Sequence, residues 1–299
     1  MRTVPKLLIA TLLVCLMLGH AHAKLKAVVL EFQDDRQGAA KLVWSEIEKA
    51  QEAHEFKALK FSKRDGFIFF LSPEFGYKKG LEKLAELGAD VLVFGKIEGN
   101  ITIVGISWKG HITSGPAAFA HVPLVQFLYF FKDHSLDKKI DVLLLALKAL
   151  DRFLAGDYES ARTLFDELYK AAGDDFTLNE LALLKGYSWL ERYRQTLDDE
   201  DFEAARRSLL APFKEFKERT NPLLAGSLKA TLAYLYLLKS ACDPNSTELK
   251  SSAEALLKHA KTLFELAGAA ELPAEADRLI KSPPDCPKQP ERTERTQTL

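Results

Sequence analysis

The apolar positions of this chain follow two different periods along its length. From residue 24 to about residue 115, short apolar runs rich in β-branched residues alternate with stretches of helical spacing. Such runs predict buried strands, and apolar residues at Leu42, Val43, Ile47 and Ala50 mark one face of a helix. The predicted strands span 25–32, 56–61, 89–97 and 101–108, and the predicted helices span 39–54 and 77–87.

The last two predicted strands are joined across Glu98, Gly99 and Asn100. A Gly-Asn junction between β-branched runs favours a tight hairpin. Residues 24–115 are therefore predicted to form a small α/β domain with an antiparallel hairpin at one side of its sheet.

From about residue 137 to residue 280 the spacing of apolar residues is helical throughout. Glycine, proline and short polar runs divide this region into six predicted helices, which pair as three helical hairpins. Pro212 lies inside the fourth helix and should kink it. The predicted helices span 138–154, 158–172, 176–196, 201–218, 222–241 and 247–267.

The helical hairpins share a short sequence pattern, with an alanine at the same place in the second helix of each. In the first hairpin the turn Ala-Gly-Asp-Tyr-Glu at 155–159 is followed by Ala161 and Phe165, which resembles the middle of a tetratricopeptide repeat. Ala205 and Ala260 hold the corresponding places in the other hairpins. Ala205 lies 44 residues after Ala161 and Ala260 lies 55 residues after Ala205, whereas the usual repeat is about 34 residues. The prediction is a helical hairpin array of the tetratricopeptide type, a solenoid, and the alternative is an irregular all-helical domain.

The first region also carries a family resemblance. The segments AVVLEF at 27–32 and LAELGADVLVFGKIEGNITIVG at 84–105 resemble the TolB-amino-terminal-like domains of bacterial envelope proteins, a group that includes FlgO-like and CsgG-like folds. The resemblance implies an assembly or binding module without catalytic residues. The fold class expected is thus α+β followed by all-α, in two domains.

The ends of the chain and the junction between the regions have their own composition. Residues 1–23 combine a basic start, an apolar run at 7–18 and the sequence Ala-His-Ala, which predicts a signal peptide cleaved after Ala23 and a periplasmic or secreted product. A retained anchor, or a lipid on Cys15, is the alternative. The predicted segments are the signal peptide at 1–23, the α/β domain at 24–115, an apolar connector at 116–136, the helical domain at 137–281 and a disordered, proline-rich tail at 282–299.

The connector contains PAAFAHVPLVQFLYFF, which is too short to span a membrane and is interrupted by Pro123. We expect it to be buried between the domains, or alternatively to offer an apolar patch to a partner or to the membrane surface. After cleavage of the signal peptide two cysteines remain, Cys242 and Cys286, which form a disulfide in an oxidising compartment or stay as free thiols.

Charge and motifs restrict the function. The chain has 41 basic and 42 acidic side chains, a balance that argues against nucleic-acid binding. We find no phosphate-binding loop, nucleophile elbow or zinc motif, and the histidines are scattered, so we expect no enzyme, no cofactor and no metal. The best acidic cluster, Glu31, Asp34 and Asp35, is interpreted as a helix-capping turn, with a bound cation as the alternative.

A stacked array of hairpins presents its inner helices on a concave face. Those helices carry tyrosine, tryptophan and basic residues, the types that dominate protein interfaces. We therefore expect a non-catalytic envelope protein that serves as a protein-binding scaffold or assembly factor. A periplasmic partner protein that binds a small ligand or solute on the same concave face is the alternative. The predicted partner-binding residues are Trp189, Arg192, Tyr193, Lys148, Arg152 and Tyr234.

Overall fold

The computed structural model describes residues 25–36, 38–52, 57–62, 82–108, 119, 125–132, 136–172, 178–214, 218, 221–243, 245–269 and 271–287. The predicted signal peptide and residues 288–299 of the predicted tail lie outside these ranges, as does the first part of the helix predicted at 77–87.

In the described part of the chain, five strands form one mixed sheet in the order β2-β1-β3-β4-β5. Strand β1 is parallel to both β2 and β3, whereas β3, β4 and β5 follow one another antiparallel. The strands are β1 Lys26–Leu30, β2 Lys57–Ser62, β3 Val91–Glu98, β4 Ile101–Trp108 and β5 Val125–Lys132.

The antiparallel hairpin predicted at 98–101 is confirmed. Glu98 pairs with Ile101, and Gly99 takes a φ of 60°, a left-handed conformation that suits glycine in a tight turn. Strand β5 was not predicted, because its segment lies in the expected apolar connector. It pairs with β4 from Lys132 opposite Ile101 to Val125 opposite Ser107.

Both faces of the sheet are covered. The side chains of β1 alternate between two hydrophobic clusters, with Val29 on one side and Val28 on the other. Helix α1 (Ala39–Glu52) contributes to the first cluster, and the helical segment 82–87 contributes to the second. The carboxylate of Asp35 accepts hydrogen bonds of 2.9 Å from the backbone N–H groups of Ala39 and Ala40, so this member of the acidic cluster acts as a helix cap.

The six predicted helices and their pairing into hairpins are confirmed, with boundaries that differ by a few residues. Helix α5 is shorter than predicted, because it ends at Leu210 and passes into a 3₁₀ turn that contains Pro212. A further short helix, α8, follows the third hairpin. The helices are α2 Leu136–Leu154, α3 Tyr158–Ala172, α4 Leu178–Thr196, α5 Asp199–Leu210, α6 Pro222–Cys242, α7 Thr247–Leu266 and α8 Leu272–Lys281. None of the described helices is long and apolar enough to cross a membrane.

The sheet and the helices share one hydrophobic core in the described part of the chain. The face of the sheet that packs on α1 belongs to the same cluster as the hairpin interiors. Phe119, from the predicted connector, is fully buried and its ring stacks on Phe264 of α7 at 5.8 Å. This residue of the connector is therefore core.

Helix α6 lies at the centre of the helical region. Every residue from Leu223 to Leu238 is buried, and α4, α5 and α7 pack against it. A helix that is apolar on all sides is an interior helix. The expected concave face consequently does not extend over α6, because neighbouring helices enclose it.

A disulfide joins Cys242, at the end of α6, to Cys286, with a Cα–Cα distance of 4.9 Å. Of the two alternatives for these cysteines, the bridge is the one present. Residues 282–287 are thus fixed against the helical region, whereas the sequence predicted disorder from residue 282 onward.

Candidate partner-binding surface

The structure separates the predicted binding residues into an exposed group and a buried group. Tyr193 is only 1% exposed, and its ring meets that of Phe202 edge-on at 5.6 Å. Burial raises the pKa of its hydroxyl to about 12. The prediction that Tyr193 lies on the binding face is therefore wrong: it is one position beyond Arg192, about 100° further around the helix, and it faces α5.

Tyr234 is also buried, because it lies on the enclosed helix α6. Burial raises the pKa of its hydroxyl. The prediction that Tyr234 lies on an open surface is wrong, because neighbouring helices enclose α6.

The two predicted residues on α2 lie apart from the depressions described below. Arg152 is exposed, with its guanidinium 3.8 Å from the carboxylate of Asp157. Lys148 is partly buried one turn earlier, and neither residue lines a depression.

Trp189 and Arg192 do share a surface, which is formed by α3, α4 and α5. Trp189 is partly buried against the core. The guanidinium carbon of Arg162, on α3, lies 4.8 Å from the centre of the Trp189 ring system, and that of Arg192 lies 5.4 Å from it. Contacts of this kind are attractive because the aromatic face is electron-rich. We call Trp189, Arg162 and Arg192 the arginine–tryptophan cluster.

Two depressions flank this cluster. The first encloses about 390 Å³ between the amino-terminal turn of α3 and the last turns of α4. The second encloses about 370 Å³ between α3, α4 and α5 and is bounded by Trp189. The first is lined by Asp157, Glu159, Arg162, Arg192, Gln195 and Thr196, among others, and the second by Tyr169, Lys185, Trp189, Arg207 and Ser208.

Arg162 has an unusual environment for a charged side chain. It is only 7% exposed, and its Nη1 donates a hydrogen bond of 2.9 Å to the backbone carbonyl of Ser188. Of the residues that the structure describes, none places a carboxylate oxygen within 4 Å of its guanidinium. Burial, and then the neighbouring charge of Arg192, lower the pKa of Arg162.

Arg192 is anchored at one edge only. Its Nε donates to the carboxylate of Asp201 at 3.1 Å, and that buried carboxylate also accepts from the Thr196 hydroxyl at 2.7 Å. Arg192 itself is exposed, with 46% of its side chain accessible. The guanidinium is therefore held in place at its Nε, and Arg192 lines the first depression.

The second depression is lined by two basic residues, neither of which is buried. Lys185 forms an ion pair with Asp166 and lies 5.4 Å from the centre of the Tyr169 ring. Arg207 is exposed at the opposite side. The two depressions therefore differ in character, because a buried and unpaired charge borders only the first.

Sequence reasoning missed Arg162, because it placed binding on the inner helices of the hairpins and Arg162 lies on an outer one. A signal was present in the sequence: Arg162 directly follows Ala161, and basic residues directly follow Ala205 and Ala260 in the same way.

Within the described residues, no group of histidine, cysteine and acidic side chains is arranged to hold a metal ion.

Comparison with known proteins returned no match to this chain from family models, characterised proteins or solved structures.

Proposed function

We propose that this protein is a non-catalytic, exported envelope protein that binds a partner protein, as a scaffold or assembly factor, through the surface of α3, α4 and α5. The observation that carries the proposal is the arginine–tryptophan cluster. Tryptophan and arginine are the residues most enriched at the energetic centres of protein interfaces. Here they stand together at the boundary of two open depressions, where side chains of a partner have room to enter.

The packing of the hairpins supports a repeat architecture of the tetratricopeptide type. Ala161, Ala205 and Ala260 are all fully buried, and the residue four positions after each is buried too. A Cβ on Gly186 would lie 2.5 Å from the Leu209 side chain, and a Cβ on Gly226 would lie 2.7 Å from the Phe264 ring. The second and third hairpins thus bring their two helices together at a glycine in the same manner.

A second repeated feature is the basic residue after each of these alanines. Arg162 donates to the carbonyl of Ser188 on α4, Arg206 donates to the hydroxyl of Tyr236 on α6 at 3.2 Å, and Lys261 pairs with Asp277 on α8 at 2.6 Å. In each case the side chain reaches the next helix after its own hairpin. This regularity favours a repeat array, with α8 in the place of the next inner helix.

Export to the periplasm, or secretion, rests on the predicted signal peptide at 1–23, and the resemblance of the first region to TolB-amino-terminal-like domains favours the cell envelope. The disulfide between Cys242 and Cys286 agrees with an oxidising compartment.

The test is capture of the partner from the periplasmic fraction after chemical cross-linking. Trp189→Ala should abolish recovery of the protein that the wild-type chain captures, because the centre of the surface is removed. Leu266→Ala is the matched control, since it removes an exposed apolar side chain (57% exposed) on α7, away from the surface. Equal recovery with the Trp189 variant would exclude this surface as the binding site.

A second candidate function is small-ligand binding, and the observation that favours it is the size of the two depressions. Volumes of about 370 and 390 Å³ fall within the range of small-molecule sites. Native mass spectrometry of the purified protein tests this alternative, because a bound small molecule would appear as a defined mass increment that Trp189→Ala removes.

A further inference from the structure

The three basic residues that follow the buried alanines differ in one respect. Arg206 pairs with Glu203 at 3.1 Å, and Lys261 pairs with Asp277. Arg162 has an acidic residue at the same relative position as Glu203, namely Glu159, yet no carboxylate oxygen of the described residues comes within 4 Å of its guanidinium. Glu159 is instead exposed to solvent. The first hairpin thus keeps the arginine of the pattern without its counter-ion.

This arrangement is costly unless a further partner is supplied. A guanidinium carries five N–H donors, and burying a charge without pairing it is unfavourable. Among the described residues, the direct contacts of Arg162 are the Ser188 carbonyl and the face of Trp189, while the carboxylates of Glu159, Asp201 and Asp157 act on it from further away. The rest of this buried group borders the first depression, where a ligand could accept its remaining hydrogen bonds.

Arg192 supplies a second set of donors at the same depression. Its Nε is occupied by Asp201, which leaves the two terminal nitrogens of the guanidinium. Asp201 pairs directly with Arg192, whereas Glu159, Asp201 and Asp157 act on the charge of Arg162 only from a distance. A ligand group that carries a single negative charge would give the Arg162 guanidinium the direct counter-ion that it lacks.

The other acidic residues around the depression have partners of their own. Both oxygens of Glu191 accept hydrogen bonds of 2.9 Å from Arg194, and Asp157 accepts one of 3.2 Å from the backbone N–H of Ser160. These carboxylates therefore hydrogen-bond to other donors, although the charge of Asp157 still acts on Arg162 without a direct contact. Together with the exposed Glu159, they disfavour a doubly charged group such as phosphate.

We infer that the depression between Arg162 and Arg192 binds a single carboxylate of the partner protein, with Trp189 packing beside it. This inference rests on the proposed function and identifies the chemistry of the partner. Guanidinium groups match carboxylates through paired hydrogen bonds, and such pairs are stronger in a partly buried site than in open solvent. The carboxylate belongs either to an aspartate or glutamate side chain or to a chain terminus.

Peptide titration followed by ¹⁵N NMR tests the inference. The indole N–H signal of Trp189, assigned with Trp189→Phe, serves as the reporter. Three alanine peptides are compared: one with a single glutamate and both ends blocked, one with a free terminal carboxylate, and one with both ends blocked and no acidic group. We expect a saturable shift with one or both carboxylate peptides and none with the third, and the peptide that binds identifies the source.

Variants assign the effect to the arginines. Arg192→Gln, at an exposed position, should weaken the binding by about tenfold, and Arg162→Gln should remove it. Arg278→Gln, which removes an exposed arginine paired with Glu275 on α8, is the control and should leave binding unchanged. Arg162→Lys keeps the charge without the paired donors and should bind more weakly than the wild type.

Absence of any shift in the folded wild-type protein would overturn the inference, as would a shift that persists in Arg192→Gln and Arg162→Lys at full strength. Because Arg192→Gln is expected to fold normally, the test does not depend on the buried position. If Trp189→Ala abolishes partner capture while no carboxylate peptide binds, the proposed function stands and this inference alone fails.

Discussion

At the residue scale, adjacent positions on α4 have opposite roles. Arg192 lies on the surface and is held at its Nε by Asp201, whereas Tyr193 lies in the core against Phe202. The sequence places aromatic and basic residues together, but it does not show which of two neighbours faces a second helix. That assignment depends on the position of α5, which no local pattern specifies.

The buried role of Tyr193 predicts a large effect on stability. Tyr193→Ala should lower the free energy of unfolding by about 3–5 kcal/mol, the usual cost of emptying a buried aromatic site. Arg192→Ala should lower it by only about 1–2 kcal/mol, because that side chain is half exposed and the Thr196 hydroxyl still donates to the buried Asp201 carboxylate. Urea denaturation measures both values. A Tyr193→Ala variant as stable as the wild type would place this ring outside the core.

Tyrosines that are buried or half-buried also predict a loss of stability at alkaline pH. The pKa values of Tyr169 and Tyr193 are raised from 10.0 to about 12, in both cases mainly by burial. Since the folded state favours the neutral phenol, this contribution is fully present below pH 10 and is lost as the pH rises from 10 to about 12.

The measurement is the free energy of unfolding in urea as a function of pH, with phenolate absorbance recorded in parallel. Tyr193→Phe is the control, and its stability should decline less steeply above pH 10 because one of the tyrosines with a raised pKa is gone. Identical pH profiles for the two proteins would show that Tyr193 ionises as freely in the folded state as in the unfolded one.

At the scale of the elements, the contacts that hold each hairpin together are short. Gly226 on α6 lets the ring of Phe264 approach so closely that a Cβ would lie 2.7 Å from it. Gly226→Ala should therefore destabilise the protein by about 1–3 kcal/mol, although alanine is the better helix former.

Thermal and urea denaturation measure this effect. The double variant Gly226→Ala with Phe264→Leu is the informative comparison, because a smaller side chain at position 264 leaves room for the new methyl group. The destabilisation caused by Gly226→Ala should be smaller in the Phe264→Leu background than in the wild type. A stabilising effect of Gly226→Ala alone would show that α6 and α7 are not in such close contact.

The disulfide also stabilises the arrangement of the helices, since it closes a loop of 44 residues between Cys242 and Cys286. Cys242→Ser should lower the free energy of unfolding by about 2–4 kcal/mol. The double variant with Cys286→Ser as well should be no less stable than the single one. If replacing Cys242 leaves stability unchanged, the bridge is not formed in the folded protein.

Most of the helices and the β-hairpin could be predicted from the sequence. The helical period and the glycine and proline breaks defined α2 to α7 to within a few residues, except at the end of α5, and Gly99 marked the β-hairpin. Strand β5 could not be predicted in the same way, because its run VQFLYFFK is apolar without alternation and follows Pro123. Its pairing with β4 is a tertiary contact.

At the scale of the whole molecule, the candidate surface exists because of how the hairpins pack. The second hairpin contributes Trp189 and Arg192, the first contributes Arg162, and α6 is enclosed behind them. Sequence reasoning predicted binding residues on α4, of which Trp189 and Arg192 lie at the surface, but it assumed an open concave face across all three hairpins. That face depended on the curvature of the array, which the degenerate repeat spacing did not define.

The two regions of the chain are also more closely joined than their different periods indicate. Phe119 stacks on Phe264, and the α1 face of the sheet shares a hydrophobic cluster with the hairpins. The shared core gives the helical surface a rigid support, which an interface built on fixed side chains requires.

The central claim is that a protein partner binds the surface of α3, α4 and α5, and site-specific photo-cross-linking in the producing cell tests it most directly. A photo-reactive residue at position 207, which is exposed at the second depression, is compared with one at position 258, which is exposed on α7. We predict a defined cross-linked protein from position 207, none from position 258, and loss of the product when Trp189→Ala is added. A product formed only from position 258, or one from position 207 that survives Trp189→Ala unchanged, would contradict the claim.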